Sequence, residues 1–434
     1  MSHRETRTLY RLKTKKATLT AMLSRCTALD AHYSGISQRK TPPCRQTSVY
    51  FALHARPQPQ LSPLPRQITR KIMPLPSYDP ATYPAQLAGK LAQFEQNFAP
   101  LGVRNTIAHA STPLHYRLRA EFRIWHDGDR LDYAMFDPED PKVPITLDTF
   151  PPAAESICAL MPRLRDRLAA SETLRRRLFQ ADFLATLSGD MLVTLIYHRT
   201  LDEAWEAAAR VMATELGIRI IGRSRGQKRV LDRDWVLEEF ELNGRQLRYK
   251  QVEGSFTQPN GGVNRQMLGW ACLQAAGIGG NLVELYCGNG NFTIALAPLF
   301  DKVLATEVSK SSVHAAQYNL ATNKVENVAI ARMSSEEFSN ALSGREEFTR
   351  LKDIDLEPFR HATLFVDPPR SGLDAVTLEL ARGFDRILYI SCNQQTLLEN
   401  VTALQDTHQI AASAVFDQFP YTHHLECGLL LTRR

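Results

Sequence analysis

From about residue 281 onward, short apolar runs alternate with helix-periodic stretches, and this alternation restricts the second half of the chain more than any other feature. Strand-like runs at 282–286, 302–306, 328–332, 362–366 and 386–390 are separated by helical patterns such as 292–299 and 311–323. Repeated βα units demand a mostly parallel, doubly wound sheet, α/β in class, with helices on both faces. Two final runs, 411–416 and 426–432, read as an antiparallel ending. Ligands of such sheets bind at the carboxyl ends of the strands near the switch point, so the informative residues are those that directly follow strands.

The first half has a different texture. An amphipathic helix is expected over 84–98, where Leu87, Leu91, Phe94 and Phe98 share a face. Residues 116–126 alternate like a half-buried strand and meet the turn Asp127-Gly128-Asp129. Runs at 182–187 and 191–197 read as a hairpin around Ser188-Gly189-Asp190, and a helix is expected over 201–215. This gives three expected segments: a basic disordered extension (1–72), a helix plus α+β domain (73–250), and the α/β domain (251–434).

Charge is uneven. Residues 1–72 hold fourteen Lys/Arg against two acids, which leaves 38 against 44 in the remainder of the 434-residue chain. The proline-rich stretch 55–65 cannot continue a helix or a central strand, and the segment lacks a sustained apolar period. A transit peptide and an upstream extension with Met73 as the natural start both fit it, and the composition favours the extension. No apolar run reaches the roughly eighteen residues of a membrane-spanning helix. The seven cysteines are scattered, with no C-x-x-C pair and no Cys/His cluster. That argues against a structural metal, an iron–sulfur cluster or a disulfide scaffold, and for a reducing, cytoplasmic setting.

After the first strand of the α/β half comes Glu284-Leu285-Tyr286-Cys287-Gly288-Asn289-Gly290-Asn291-Phe292. Gly288 and Gly290 permit a tight turn and a close approach of backbone to ligand. The third glycine of the dinucleotide fingerprint is missing, which disfavours a pyrophosphate guest. Glu307 ends the second strand, where a carboxylate can accept hydrogen bonds from both hydroxyls of a ribose. Asp367-Pro368-Pro369-Arg370 follows the fourth strand and brings another carboxylate to the same crevice. An S-adenosylmethionine-dependent methyltransferase fits this set best.

The strand 386–390 delivers Ser391-Cys392-Asn393 to that crevice, before a helix expected to start near Gln394. A helix N-terminus there is expected to depress the thiol's pKa. A thiol explains itself if the methyl acceptor is C5 of uracil, a carbon without a lone pair. Thiolate addition at C6 places electron density on C5. A separate base must then take the C5 proton. Glu426, opening an apolar strand where partial desolvation would raise its pKa, is one candidate; His423 and His424 are the others.

These residues resemble the RNA uracil-5 methyltransferases. The resemblance rests on Gln258-Pro259-Asn260, the 284–292 stretch, Asp367-Pro368-Pro369-Arg370-Ser371-Gly372, Ser391-Cys392-Asn393, and residues 420–426. The stretch Arg119-Ala120-Glu121-Phe122-Arg123-Ile124-Trp125-His126-Asp127-Gly128-Asp129 is similar to the branch that forms ribothymidine in the tRNA T-loop, and the similarity runs from about residue 77 to the end. It implies a Rossmann-like methyltransferase domain preceded by an α+β RNA-binding domain. It further implies Cys392 as nucleophile, Glu426 as proton acceptor, and Gln258, Tyr286, Asn291, Glu307 and Asp367 as S-adenosylmethionine contacts. Arg123, Phe179 and His198 fall on T-arm contacts. The implied partners are tRNA, through its T-arm, and tmRNA; the protein is expected to be a monomer without metal or membrane. Gln394 stands where the family usually has proline, which removes stiffness from the turn but no chemical group.

A T-loop uridine must be extruded to reach a buried thiol. Arg117, Arg119 and Arg123 alternate along one strand, and Arg175-Arg176-Arg177 precedes Phe179. These runs are expected to form an RNA platform. Three other readings compete. Exocyclic amine methylation also uses Asp-Pro-Pro, but with an aromatic where Arg370 stands. Ribosomal-RNA uracil methylation commonly goes with an iron–sulfur motif that is not apparent here. The third is a tRNA-folding chaperone.

Overall fold

The computed structural model describes residues 78–434, apart from 129, 138 and 139. The basic segment 1–72 lies outside the described residues. Helix α1 (Tyr83–Phe98) opens with a proline in its first turn, where no backbone N–H is needed. It buries Phe94 and Phe98, stacked at 4.5 Å. The short strand β1 (Ile107–His109) follows.

A seven-stranded sheet comes next. It is built from β2 (Arg119–Asp127), β3 (Arg130–Asp137), β4 (Asp140–Leu147), β5 (Leu178–Ala185), β6 (Met191–Tyr197), β7 (Arg219–Ser224) and β8 (Gln227–Val230), in the order β4-β3-β2-β5-β6-β7-β8. Helices α2 (Glu155–Ala169), α3 (Glu172–Arg175) and α4 (Glu203–Leu216) are interleaved. Every pair is antiparallel except β6–β7, which α4 connects. Along β2 the alternating residues Ala120, Phe122 and Ile124 are buried while Glu121 and Arg123 face out, so one sheet face meets a core and the other is free. That core holds Phe122, Tyr133 and Phe183 together with Leu160 and Leu164 of α2.

The hairpin β9 (Trp235–Leu242) and β10 (Arg245–Val252) leads into the second domain. There the chain alternates: α5 (Gly261–Ala275), β11 (Asn281–Leu285), α6 (Asn291–Leu296), β12 (Lys302–Thr306), α7 (Lys310–Thr322), β13 (Val328–Ala331), α8 (Ser335–Leu342), β14 (Thr363–Val366), α9 (Ala375–Ala381), β15 (Arg386–Ser391) and α10 (Gln394–Leu404). It ends in β16 (His408–Phe416) and β17 (Glu426–Arg433). The sheet order is β1-β16-β17-β15-β14-β11-β12-β13, with β17 antiparallel to both neighbours and the other pairs parallel. Successive residues of each strand pack on opposite faces: Leu364, Val366, Ile387 and Tyr389 on one, Phe365, Leu388 and Ile390 on the other. Burial on both faces is why these strands read as continuous apolar runs. The chain order reverses between β11 and β14, which puts the switch point there.

Two segments fall elsewhere than the 73–250 grouping expects. Phe94 and Phe98 of α1 join the core of the α/β sheet, and β1 pairs with β16 at its edge. The β9–β10 hairpin also packs there, with Phe240, Leu247 and Tyr249 against α5. The physical reason is shared. Each has an apolar face, and the nearest open hydrophobic surface belongs to the large sheet.

Candidate active site

Strand ends and register assemble one crevice from distant parts of the chain. Ser391 pairs with Cys427 at the end of the antiparallel β15–β17 ladder, so Cys392 and Glu426 emerge side by side, one step beyond it. Asp367 follows β14, next to β15 and β11 in the sheet. The turn after β11 uses Gly288 at φ 57° and Gly290 at φ 83°, with Tyr286 itself at φ 63°. Gly290 caps α6, and the left-handed geometry there suits glycine.

A cavity of about 380 Å³ occupies this crevice, and Cys392, Glu426, Gln258, Tyr286, Asn291 and Asp367 all line it. That volume is within the range typical of small-molecule sites. Asn291 and Asn264 exchange a reciprocal pair of amide hydrogen bonds at 3.0 and 2.8 Å. The Tyr286 hydroxyl donates to Ser335 Oγ at 2.7 Å, and Gln258 Oε1 accepts from Gln418 Nε2 at 3.2 Å. Glu307 stands behind the wall. Its carboxylate accepts the N–H groups of Gly288 (3.1 Å) and Ser309 (2.6 Å), which fixes the glycine turn and uses only part of its accepting capacity.

The electrostatics differ from the sequence expectation in one respect. The Cys392 thiol is pushed up to about 11, mainly by burial and then by the Glu426 and Asp367 carboxylates, with Arg370 acting in the opposite direction. Asn393 caps α10 by accepting the Gln395 N–H at 3.1 Å. Burial among carboxylates outweighs the helix N-terminus. The thiol is therefore not depressed in the free chain.

The carboxyl groups themselves are raised. Burial takes Glu426 to about 8, with Asp367 adding to the shift and Arg370 opposing it. Burial alone takes Asp367 to about 7. Glu284, on the same wall, reaches about 8 by burial, and its Oε2 has no hydrogen-bond partner. His423 and His424 are not on the cavity wall; His424 instead lies 3.3 Å from Arg370 Nη2. Glu284, Asn264 and Arg370 were not singled out as site residues from sequence. Glu284 and Arg370 sit inside quoted motifs, whereas Asn264 gives no local signal.

On the outer face of the seven-stranded sheet, the Arg123 guanidinium lies 3.9 Å from the Phe179 ring centroid, and His198 stacks on Phe179 at 4.0 Å. Phe179 and His198 also line a groove of about 540 Å³ with Arg175, Arg176 and Arg177. Arg117 and Arg119, expected to share the platform with Arg123, are engaged elsewhere. Arg119 donates to the Ser255 carbonyl at 3.0 Å, and Arg117 lies 5.9 Å from the Phe419 ring, so both brace the junction with the α/β domain. Among the described residues there is no group of three or more His, Cys, Asp or Glu arranged to hold a metal, and no helix long and apolar enough to cross a membrane.

A doubly wound sheet with a glycine turn facing buried carboxylates defines a Rossmann-like, S-adenosylmethionine-dependent methyltransferase. The family model described as tRNA (Uracil-5-)-methyltransferase matches residues 82–434, and the chain belongs to that family. A relative from Dechloromonas aromatica (strain RCB), a tRNA/tmRNA (uracil-C(5))-methyltransferase, is 87% identical over 362 residues, spanning 83% of this chain and all of the relative. One of the same description from Aromatoleum aromaticum is 71% identical over 83% of this chain and 98% of its own length. Among solved structures, the Pyrococcus abyssi tRNA (uracil-54, C5)-methyltransferase in complex with S-adenosyl-L-homocysteine superposes with a TM-score of 0.61. It shares 18% identity and the match covers 81% of this chain and 83% of that one, so the likeness is one of fold.

Proposed function

We propose that this chain methylates C5 of a uridine in the tRNA T-loop, position 54 as in the archaeal enzyme's name, giving ribothymidine, and acts likewise on tmRNA. The observation that carries the reading is that Cys392 and Glu426 line the same cavity as the glycine turn. The cavity fits the cofactor by charge as well as size. Buried, raised carboxyls and the unpartnered Glu284 Oε2 favour a cationic guest such as a sulfonium with its ammonium group. When bound, S-adenosylmethionine supplies the methyl group.

Gln258, Tyr286, Asn291 and Asp367 would hold it, with Glu307 at the ribose behind the glycine turn. Cys392 Sγ gives up its proton to water, forms a bond to uracil C6 and generates an enolate with density at C5. Methylated C5 then loses its proton to Glu426, the Cys392–C6 bond breaks, and the C5=C6 double bond returns. With a thiol near 11, the free chain is a poor nucleophile at neutral pH. Arg370 opposes that shift, and a bound sulfonium would add its positive charge in the same direction. The Arg123–Phe179–His198 group takes the T-arm, and the protein works as a cytoplasmic monomer.

Incubating the chain with S-adenosylmethionine and tRNA containing 5-fluorouridine tests this. Fluorine at C5 cannot leave as a proton, so a denaturation-stable protein–RNA adduct should form and be absent with Cys392→Ala. Failure of the wild type to trap the RNA sinks the covalent mechanism.

A further inference from the structure

Lys90 is an anomaly in α1. It lies within the apolar stripe and is 8% exposed, paired at 2.7 Å with an Asp417 that is fully buried. Its ammonium also donates to the carbonyls of Phe419 (3.1 Å) and His424 (3.0 Å). All three acceptors belong to the single loop between β16 and β17, and the last lies two residues before Glu426. Gln86, one turn earlier on α1, accepts the Tyr421 N–H at 2.6 Å. A buried ion pair is a costly way to attach a helix, since apolar residues of similar volume would hold it as well or better. What an apolar contact lacks is direction: three donors of one ammonium fix three points of a loop.

We infer that Lys90, seconded by Gln86, is a positioning residue that sets the 417–425 loop and thereby the Glu426 carboxylate against the reacting uracil. The inference rests on the proton-acceptor role proposed for Glu426. The cofactor side of the loop is held separately: Gln418 accepts from the Asn260 N–H at 3.1 Å and donates to Gln258. Loss of the Lys90 contacts should therefore fall on proton removal, the step after methyl transfer, and not on cofactor binding. A stalled proton removal has its own signature. Methylated uracil stays attached through the Cys392–C6 bond, because that bond breaks only when C5 gives up its proton.

The test uses the full chain, S-adenosylmethionine and ordinary tRNA transcript, with products resolved on a denaturing gel. Lys90→Met combined with Asp417→Asn removes both charges together. We expect turnover to fall about tenfold to a hundredfold, as for a displaced catalytic group. The cofactor dissociation constant should move by less than about threefold. A protein-linked RNA band should build up that the wild type does not show. Turnover close to wild type, slow turnover without the band, or parallel loss of cofactor binding each overturn the inference. If the double variant does not fold, Gln86→Leu must give the band, and its absence has the same consequence. Wild type with 5-fluorouridine tRNA runs alongside. Absence of adduct there overturns the underlying mechanism, whereas a trapping wild type beside band-free variants overturns the role of Lys90 alone.

Discussion

The crevice of the α/β sheet and the outer face of the seven-stranded sheet both gather charged and aromatic side chains, but they bury them differently. In the crevice, Glu426 is buried and Asp367 half-buried, and their protons are held well above the ordinary carboxylate range. On the outer face, Arg123, Phe179 and His198 form a stack beside an open arginine-lined groove. The first arrangement changes what a group can do chemically; the second offers flat surface and positive charge to a large anion. On the proposed reading chemistry belongs to the first region and recognition to the second, so damage to each should be visible in different measurements.

The largest effect should come from Cys392→Ala. Without a sulfur to add at C6, methyl transfer to tRNA should fall by at least about a thousandfold, while both S-adenosylmethionine and tRNA still bind. Rates come from tritium transfer and affinities from titration with each ligand. Residual activity within tenfold of wild type would break the division, because the crevice would then methylate without its nucleophile.

Phe179→Ala should give a smaller, complementary loss. Removing one stacking surface costs about 1–3 kcal/mol, so tRNA affinity should weaken on the order of tenfold with cofactor affinity unchanged. The ring already carries Arg123 and His198, so its removal also releases those two from a fixed geometry. The loss should be larger in low salt, where the arginines of the groove contribute more. Unchanged tRNA affinity would deny the outer face its role in recognition.

How far each region could be read from sequence follows from the same contrast. The strands of the α/β sheet are buried on both faces and end in motifs, so β11, β12, β14 and β15 and the residues after them were legible one by one. Contacts made only in the folded chain were not. The raised thiol of Cys392 depends first on burial and then on Glu426 and Asp367, which arrive from two other strands. Arg117 and Arg119 share strand parity with Arg123, yet they lie where the strand enters the domain junction, and periodicity carries no information about that neighbour. The three-residue β1 is too short for a period to register, and the sequence, which suggests Glu307 as a ribose acceptor, gives no sign that its carboxylate also accepts the Gly288 N–H. Lys90 did leave a trace, as a cation between Leu87 and Phe94 in an otherwise apolar stripe. Without the loop that it holds, such a residue reads as a blemish in the pattern.

The last effect concerns stability, and it sharpens the contrast because the carboxyls raised furthest, Glu284 and Glu426, lie in the crevice. Glu426 is raised from 4.5 to about 8 and Asp367 from 3.8 to about 7, so the folded chain holds protons that the unfolded chain releases. With fewer protons on the unfolded state, stability falls as pH rises. The contribution is fully present below the unfolded values near 4, declines through the interval, and is gone above about 8. Glu426→Gln removes one titrating group from that balance while keeping its shape. Relative to wild type, the variant should therefore gain stability between pH 5 and pH 8, by on the order of 3 kcal/mol across the interval. Urea unfolding at the two pH values measures the gap between the proteins. A gap that stays constant, or narrows toward pH 8, would mean that Glu426 is solvated in the free chain, and the crevice would lose the dry character that separates it from the outer face.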